Sequence, residues 1–99
     1  MGKFDAATPG AYTTASTYAV TTKDALFHGI SIFSGATATV GKITVCVANA
    51  TGTPIFALTA LTSGGMACDG PITPVVCAGG ITCVSTGTAH NSVVLFTEL

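Results

Sequence analysis

The feature that most constrains the fold is punctuation. Runs of Thr, Val, Ile and Phe are cut by Gly or Pro at roughly ten-residue intervals, and no apolar stripe recurs at helical spacing. The runs are Leu26–Ser34, Lys42–Ala48, Ile55–Leu61, Ile72–Cys77, Ile81–Ser85 and Ser92–Glu98. Between them lie Asn49-Ala50-Thr51-Gly52, Gly64-Gly65, Asp69-Gly70-Pro71, Gly79-Gly80 and Thr86-Gly87. β-Branched and aromatic residues suit a pleated, half-buried surface, and Gly, Pro and Asn suit the turns that join such strands. The chain therefore reads as all-β: an antiparallel β-sandwich or jelly-roll-like barrel of about six to eight short strands. Residues 25–99 form this sandwich. Residues 1–24 read as an N-terminal arm in which Thr13–Thr22 supplies at most one strand and Lys23-Asp24 a charged corner.

Period-2 alternation assigns faces. In the first run His28, Ile30 and Ile32 point one way, while Phe27, Ser31 and Phe33 point the other. In the second, Ile43, Val45 and Val47 oppose Thr44, Cys46 and Ala48. The larger mid-strand residues, Ile30, Ile32, Val45, Val47, Leu58, Val84, Val94 and Phe96, are the expected core. Several strands carry Thr, Ala, Ser or Cys where a solvated sheet face carries Lys, Glu or Gln. Either a partner covers that face, or Thr alone serves as its solvent-side β-former.

Charge excludes whole classes of function. Only 7% of the 99 residues are charged, the formal net charge is −1, and the cations are Lys3, Lys23 and Lys42, with no arginine. An average soluble domain has about 25% charged residues. There is no basic stripe for nucleic acid and no basic patch for an anionic membrane. The longest uncharged runs are broken by Gly, Pro and Thr, well short of the roughly 20 apolar residues of a spanning helix. Weak charge repulsion favours association. The start of the chain has no apolar signal region, which leads us to expect synthesis in a cytoplasm. A myristoylation motif fails at Ala6, and the Asn49-Ala50-Thr51 sequon has little weight without a secretory route.

Reactive side chains do not gather into a motif. Cys46, Cys68, Cys77 and Cys83 lack C-x-x-C spacing, so they read as reduced thiols, with Cys68 and Cys77 the one pair a folded-back loop would join. A Cys83–His90 nucleophile pair wants an electropositive setting that this chain lacks. A metal site from His28, His90 and Asp69 has no ligand spacing behind it. Asp5, Asp24, Asp69 and Glu98 are scattered, and no Gly-rich loop is followed by Lys-Ser/Thr. The expectation is a protein without catalytic residues, cofactor or metal.

From Ala25 onward, the segments ALFHGISIFSG, KITVCVANATGTPIFAL, GPITPVVCAGGITCVSTG and SVVLF carry a resemblance. Gly52-Thr53, Gly70-Pro71-Ile72, Gly80-Ile81-Thr82-Cys83-Val84 and Thr86-Gly87 are its matching points. Across these residues the chain resembles the small β-sandwich virion proteins of tailed bacteriophages. The resemblance implies a capsid decoration, or cement, protein on the capsid exterior, a homotrimer whose partners are itself and a major capsid protein. The arm lies outside this resemblance; its Thr/Ala-rich composition makes Phe4, Tyr12 and Tyr18 the expected apolar anchors on a second subunit or a capsid surface. The competing reading is a carbohydrate-binding or adhesive β-sandwich, weakened by the absence of Trp.

Overall fold

The structure is a computed structural model that describes residues 5–7, 11–12, 16–34, 41–60, 65–87 and 90–99. Its ten strands are β1 (Asp5–Ala7), β2 (Ala11–Tyr12), β3 (Ser16–Thr21), β4 (Ala25–Ser34), β5 (Gly41–Val47), β6 (Pro54–Ala60), β7 (Met66–Asp69), β8 (Val75–Cys77), β9 (Ile81–Ser85) and β10 (His90–Glu98). No described residue is helical. The first sheet runs β1-β10-β4-β7, with β2 also on β10 and β8 also on β4. The second runs β3-β9-β5-β6. All pairings are antiparallel. With β1/β2 and β7/β8 each taken as one interrupted strand, eight strands lie in two sheets in the orders 1-8-3-6 and 2-7-4-5. That is the double Greek key of a jelly roll. The all-β sandwich expected from the sequence thus takes the jelly-roll strand order.

Residues 1–24 take part in both sheets. β1 and β2 pair with β10, and β3 pairs with β9 from Ser16↔Ser85 to Thr21↔Ile81. The segment read as an arm with at most one strand thus supplies three. Their polar Thr/Ser/Ala composition is tolerated because β1, β2 and β3 are sheet edges, each paired on one side only. β7 was the other strand hidden from the pattern. Gly64-Gly65 and Gly70-Pro71 leave Met66–Asp69 only four residues between turn signals, too few for a local strand pattern. In the Ile72–Cys77 run, Pro74 confines the strand to Val75–Cys77.

The core lies between the sheets. Ala25, Phe27, Ile30, Ile32, Ile43, Val45, Cys77, Ile81, Cys83, Val94 and Phe96 are buried in one cluster. Tyr18, Val20, Val47, Ile55, Phe56, Leu58 and Val75 pack on it partly buried. One bulge organises this core. Along the β4–β10 ladder, Leu95 pairs with Gly29 and Phe96 with Phe27, so His28 is an extra residue without a partner position. The bulge shifts the phase of β4 by one. Phe27 and Ala25 therefore turn inward together with Ile30 and Ile32, and His28 leaves the core side. The simple alternation that set Phe27 outside and His28 inside is corrected by this single residue. Phe27 meets Phe56 of the opposite sheet at a centroid separation of 5.8 Å and a tilt of 46°, which is a favourable aromatic geometry. Val84 is the other correction. It pairs with Thr17 and Thr44, half-buried on the outer face of the second sheet, while Ile81, Cys83 and Ser85 face inward.

The few charged groups hold corners together. Asp24 Oδ1 accepts from Gly79 N–H at 2.7 Å, and Asp24 O accepts from Leu99 N–H at 2.9 Å. Thr21 Oγ1 donates to Glu98 Oε2 at 3.0 Å, joining an edge of one sheet to the end of the other. The Gly79-Gly80 turn needs its glycines. Both have positive φ, 86° and 121°, and a Cβ on Gly80 would run into the Thr21 carbonyl.

Candidate functional site

Cys83 is fully buried, and burial together with the neighbouring Cys46 pushes its thiol up to about 12. Burial also raises Cys46 and Cys77. Such thiols stay protonated and unreactive near neutral pH. All four cysteines are free, and Cys68 is the one exposed to solvent. Cys77 lies in the core and Cys68 on the surface, so the pair that a folded loop would join stays apart.

His90 is fully buried, and its Nδ1 lies 2.9 Å from Ser34 Oγ. Ser92 and Ser85 are buried in the same end of the sandwich, and Ser85 Oγ donates to Gly87 O at 3.3 Å. Gly87 fits here because a Cβ would stand 2.6 Å from His90 Nε2. Ser34, Ser85, His90 and Ser92 are thus buried polar side chains gathered at one end of the core. His28, set out of the core by the bulge, has Nε2 2.9 Å from Thr97 Oγ1. Asp69 Oδ1 accepts from Gly70 N–H at 2.8 Å. Among the described residues, no group of three or more His, Cys, Asp or Glu side chains is placed to hold a metal ion. His28, His90 and Asp69 are thus engaged separately in local structure.

The anchors expected from the sequence divide three ways. Phe4 lies outside the described residues. Tyr12 is in β2, where its backbone pairs with His90 of β10. Tyr18 in β3 pairs with Cys83 and packs partly buried against the chain's own core.

The surface that stands out instead is the outer face of the first sheet. The registers set its rows. Asn91, Phe33 and Met66 form one, and Val93, Ser31 and Cys68 the next. Leu95 and Gly29 form a third, and Thr97, Leu26 and Val76 a fourth. Met66 and Val76 are 61% and 62% exposed, and Phe33 and Leu95 are each 43% exposed. A shallow depression of about 380 Å³ lies beside Leu95, with Gly29 in its floor and His28, Ser31, Cys68 and Pro71 at its edge. Beside it, Ile72 is fully exposed on the β7–β8 loop. Ser31 Oγ donates to Cys68 Sγ at 3.4 Å, the thiol's one described contact. No lysine or glutamate is on these rows, and Asp69 at the rim is already bonded to Gly70. The face has the shape and chemistry of a contact surface, and nothing on it resembles a reaction centre.

Comparison with known proteins agrees with the architecture. No family model matches the chain, and no curated protein matches it significantly. Among solved structures, the chain superposes on a subunit from Bacillus endospore appendages, which form a novel family of disulfide-linked pili. The TM-score is 0.55 at 19% identity, over 98% of this chain and 86% of that one. Likeness at this identity concerns the fold. It extends over nearly the whole chain.

The face was missed at the level of sequence because each of its residues belongs to a run that also feeds the core. A signal was present. Phe33 stands opposite Ile30 and Ile32 in its run, and the scarcity of charge leaves a covered face as one of the two readings of the sequence.

Proposed function

We propose that this chain is a structural subunit that works by packing into a larger proteinaceous assembly. The observation that carries the reading is the uncharged outer face of the first sheet, where Phe33, Met66, Val76 and Leu95 all face solvent. Monomeric soluble proteins rarely leave such a contiguous apolar surface bare. The jelly-roll scaffold is rigid and closed on its other side by its own core, which suits a building block. The likeness to an appendage subunit supports an assembly of subunits, and a fibre or surface appendage is one form the reading takes.

The finer form is a capsid decoration protein that stabilises a virion through subunit contacts. It rests on the resemblance of residues 25–96 to small phage virion proteins. In that form the partners are further copies of the chain and a major capsid protein, and the location is the capsid exterior. Both forms use the same physics: apolar contact with few charges to desolvate.

Electron microscopy of the purified protein, alone and mixed with capsids, tests the reading. Regular fibres or sheets support an appendage subunit, and added density on a capsid lattice supports decoration. A chain that stays dispersed and binds neither would end the proposal.

A further inference from the structure

We propose that the outer face of the first sheet is a homotypic interface that takes the same face of a second copy of this chain. The inference rests on the structural-subunit reading and goes further by naming the surface and its occupant.

Size is the first argument. The face is four strands wide, and β10 runs its length with nine residues. At about 4.8 Å between strands and about 3.4 Å per residue, it measures about 19 by 30 Å, or about 570 Å² in projection. Two such faces would bury about 1,100 Å², within the lower range of specific interfaces, which begins near 1,000 Å². The match is to one sheet face of equal dimensions.

Charge is the second. A basic or acidic partner would find little complementary charge here, since Asp69 and His28 stand only at the rim of the hollow and the rows hold Leu, Val, Phe, Met, Gly, Ser, Thr, Asn and Cys. The chain's own surface is as poor in charge, with a net of −1, so copies approach one another with little repulsion.

Relief is the third. The face has projecting side chains at Phe33, Met66 and Val76 and a hollow floored by Gly29. A two-fold interface needs a patch that offers both projection and hollow, so that each copy gives what the other accepts, and this face has both. Sheets stacked in this way sit about 10 Å apart with strands crossing at about 30°. Gly29 is what keeps the hollow open. A Cβ there would stand 3.0 Å from the Asp69 carbonyl oxygen and fill the floor.

Cys68 lies in the second row of the face and is the exposed thiol among the four. It reports on the interface without any substitution. In a face-to-face pair it is covered, and its alkylation slows.

The experiment uses the full chain. Sedimentation velocity gives its association across a concentration series, and iodoacetamide gives the Cys68 alkylation rate at both ends of that series. Met66→Glu and Val76→Lys each place a charge on the face, and Thr59→Glu, exposed on β6 of the other sheet, is the control. We expect even-numbered species in the wild type, with Cys68 alkylated at least tenfold more slowly when associated. Association should weaken at least tenfold in M66E and V76K and stay unchanged in T59E. If the wild type associates while Cys68 reacts at the dilute rate, the face is wrong and the subunit reading stands. The same holds if M66E and V76K associate normally, or if the species is a trimer. If the wild type is monomeric up to about 1 mM, where even weak pairs form, both fall. Should either variant fail to fold by circular dichroism, the Cys68 rate in the unmodified chain decides.

Discussion

Replacing Phe27 by Ala tests the bulge on which the core depends. Phe27 has no solvent exposure and its ring meets Phe56 at 5.8 Å across the sandwich. Truncating a buried Phe typically costs about 3–5 kcal/mol, the lost transfer energy plus the cavity. About 0.5–1.5 kcal/mol of that belongs to the aromatic pair and should emerge as coupling in a double-mutant cycle with Phe56→Ala. Against a total stability of about 5–15 kcal/mol for a domain, this is a large fraction. Urea unfolding followed by circular dichroism measures it, and with a slope near 2 kcal/mol per molar the midpoint should fall by about 2 M. Leu26→Ala is the informative companion. Leu26 is half-buried on the outer face, and its truncation should cost about 1 kcal/mol or less. Without the His28 bulge, unbroken alternation from Ile30 would bury Leu26 and expose Phe27. A larger loss for Leu26→Ala than for Phe27→Ala would therefore refute the register.

Three further outcomes follow from the same contacts. Deleting His28 removes the extra residue of β4 and leaves Ala25, Phe27, Ile30 and Ile32 on the core side in unbroken alternation, so the cooperative urea transition should survive, and its loss would mean that His28 is not the extra residue. Ala48 has a φ of 68°, in the left-handed region, and Ala48→Gly should raise stability by about 0.5–1 kcal/mol in the same assay; a loss of stability would contradict the assignment. Cys83 is held neutral in the native state up to about 12, against 9.0 for an exposed thiol. The stability this confers is fully present below pH 9 and lost as pH rises from 9 towards 12, at about 1.4 kcal/mol per pH unit. Cys83→Ala should flatten the alkaline fall by one proton's worth, and an unchanged slope would show that the thiol ionises freely in the fold.

Much of the fold was legible because β4, β5, β9 and β10 each carry enough β-branched residues between firm turn signals to declare themselves. Ile30, Ile32, Val45, Val94 and Phe96 are buried as period-2 alternation requires. What escaped was set by tertiary contacts. The His28 bulge follows from the β4–β10 pairing, and a one-residue phase shift leaves no local mark. β1, β2 and β3 are polar edge strands whose hydrogen bonds come from β9 and β10, so their own composition reads as an arm. Val84 shares its run with inward-facing Ile81 and Cys83, yet its position in the pleat turns it outward. The candidate face escaped for a related reason. Phe33 and Met66 meet only once residues 33 and 66 are brought into register, a pairing that no stretch of sequence contains.

The central claim is that this jelly roll works as a building block. Immunogold electron microscopy of the cells or particles that carry the chain tests it most directly. The account predicts gold in regular array on a fibre, a surface layer or a capsid, with no dispersed pool of comparable size. Gold spread evenly through a soluble compartment, from chains that sediment as monomers, would contradict it.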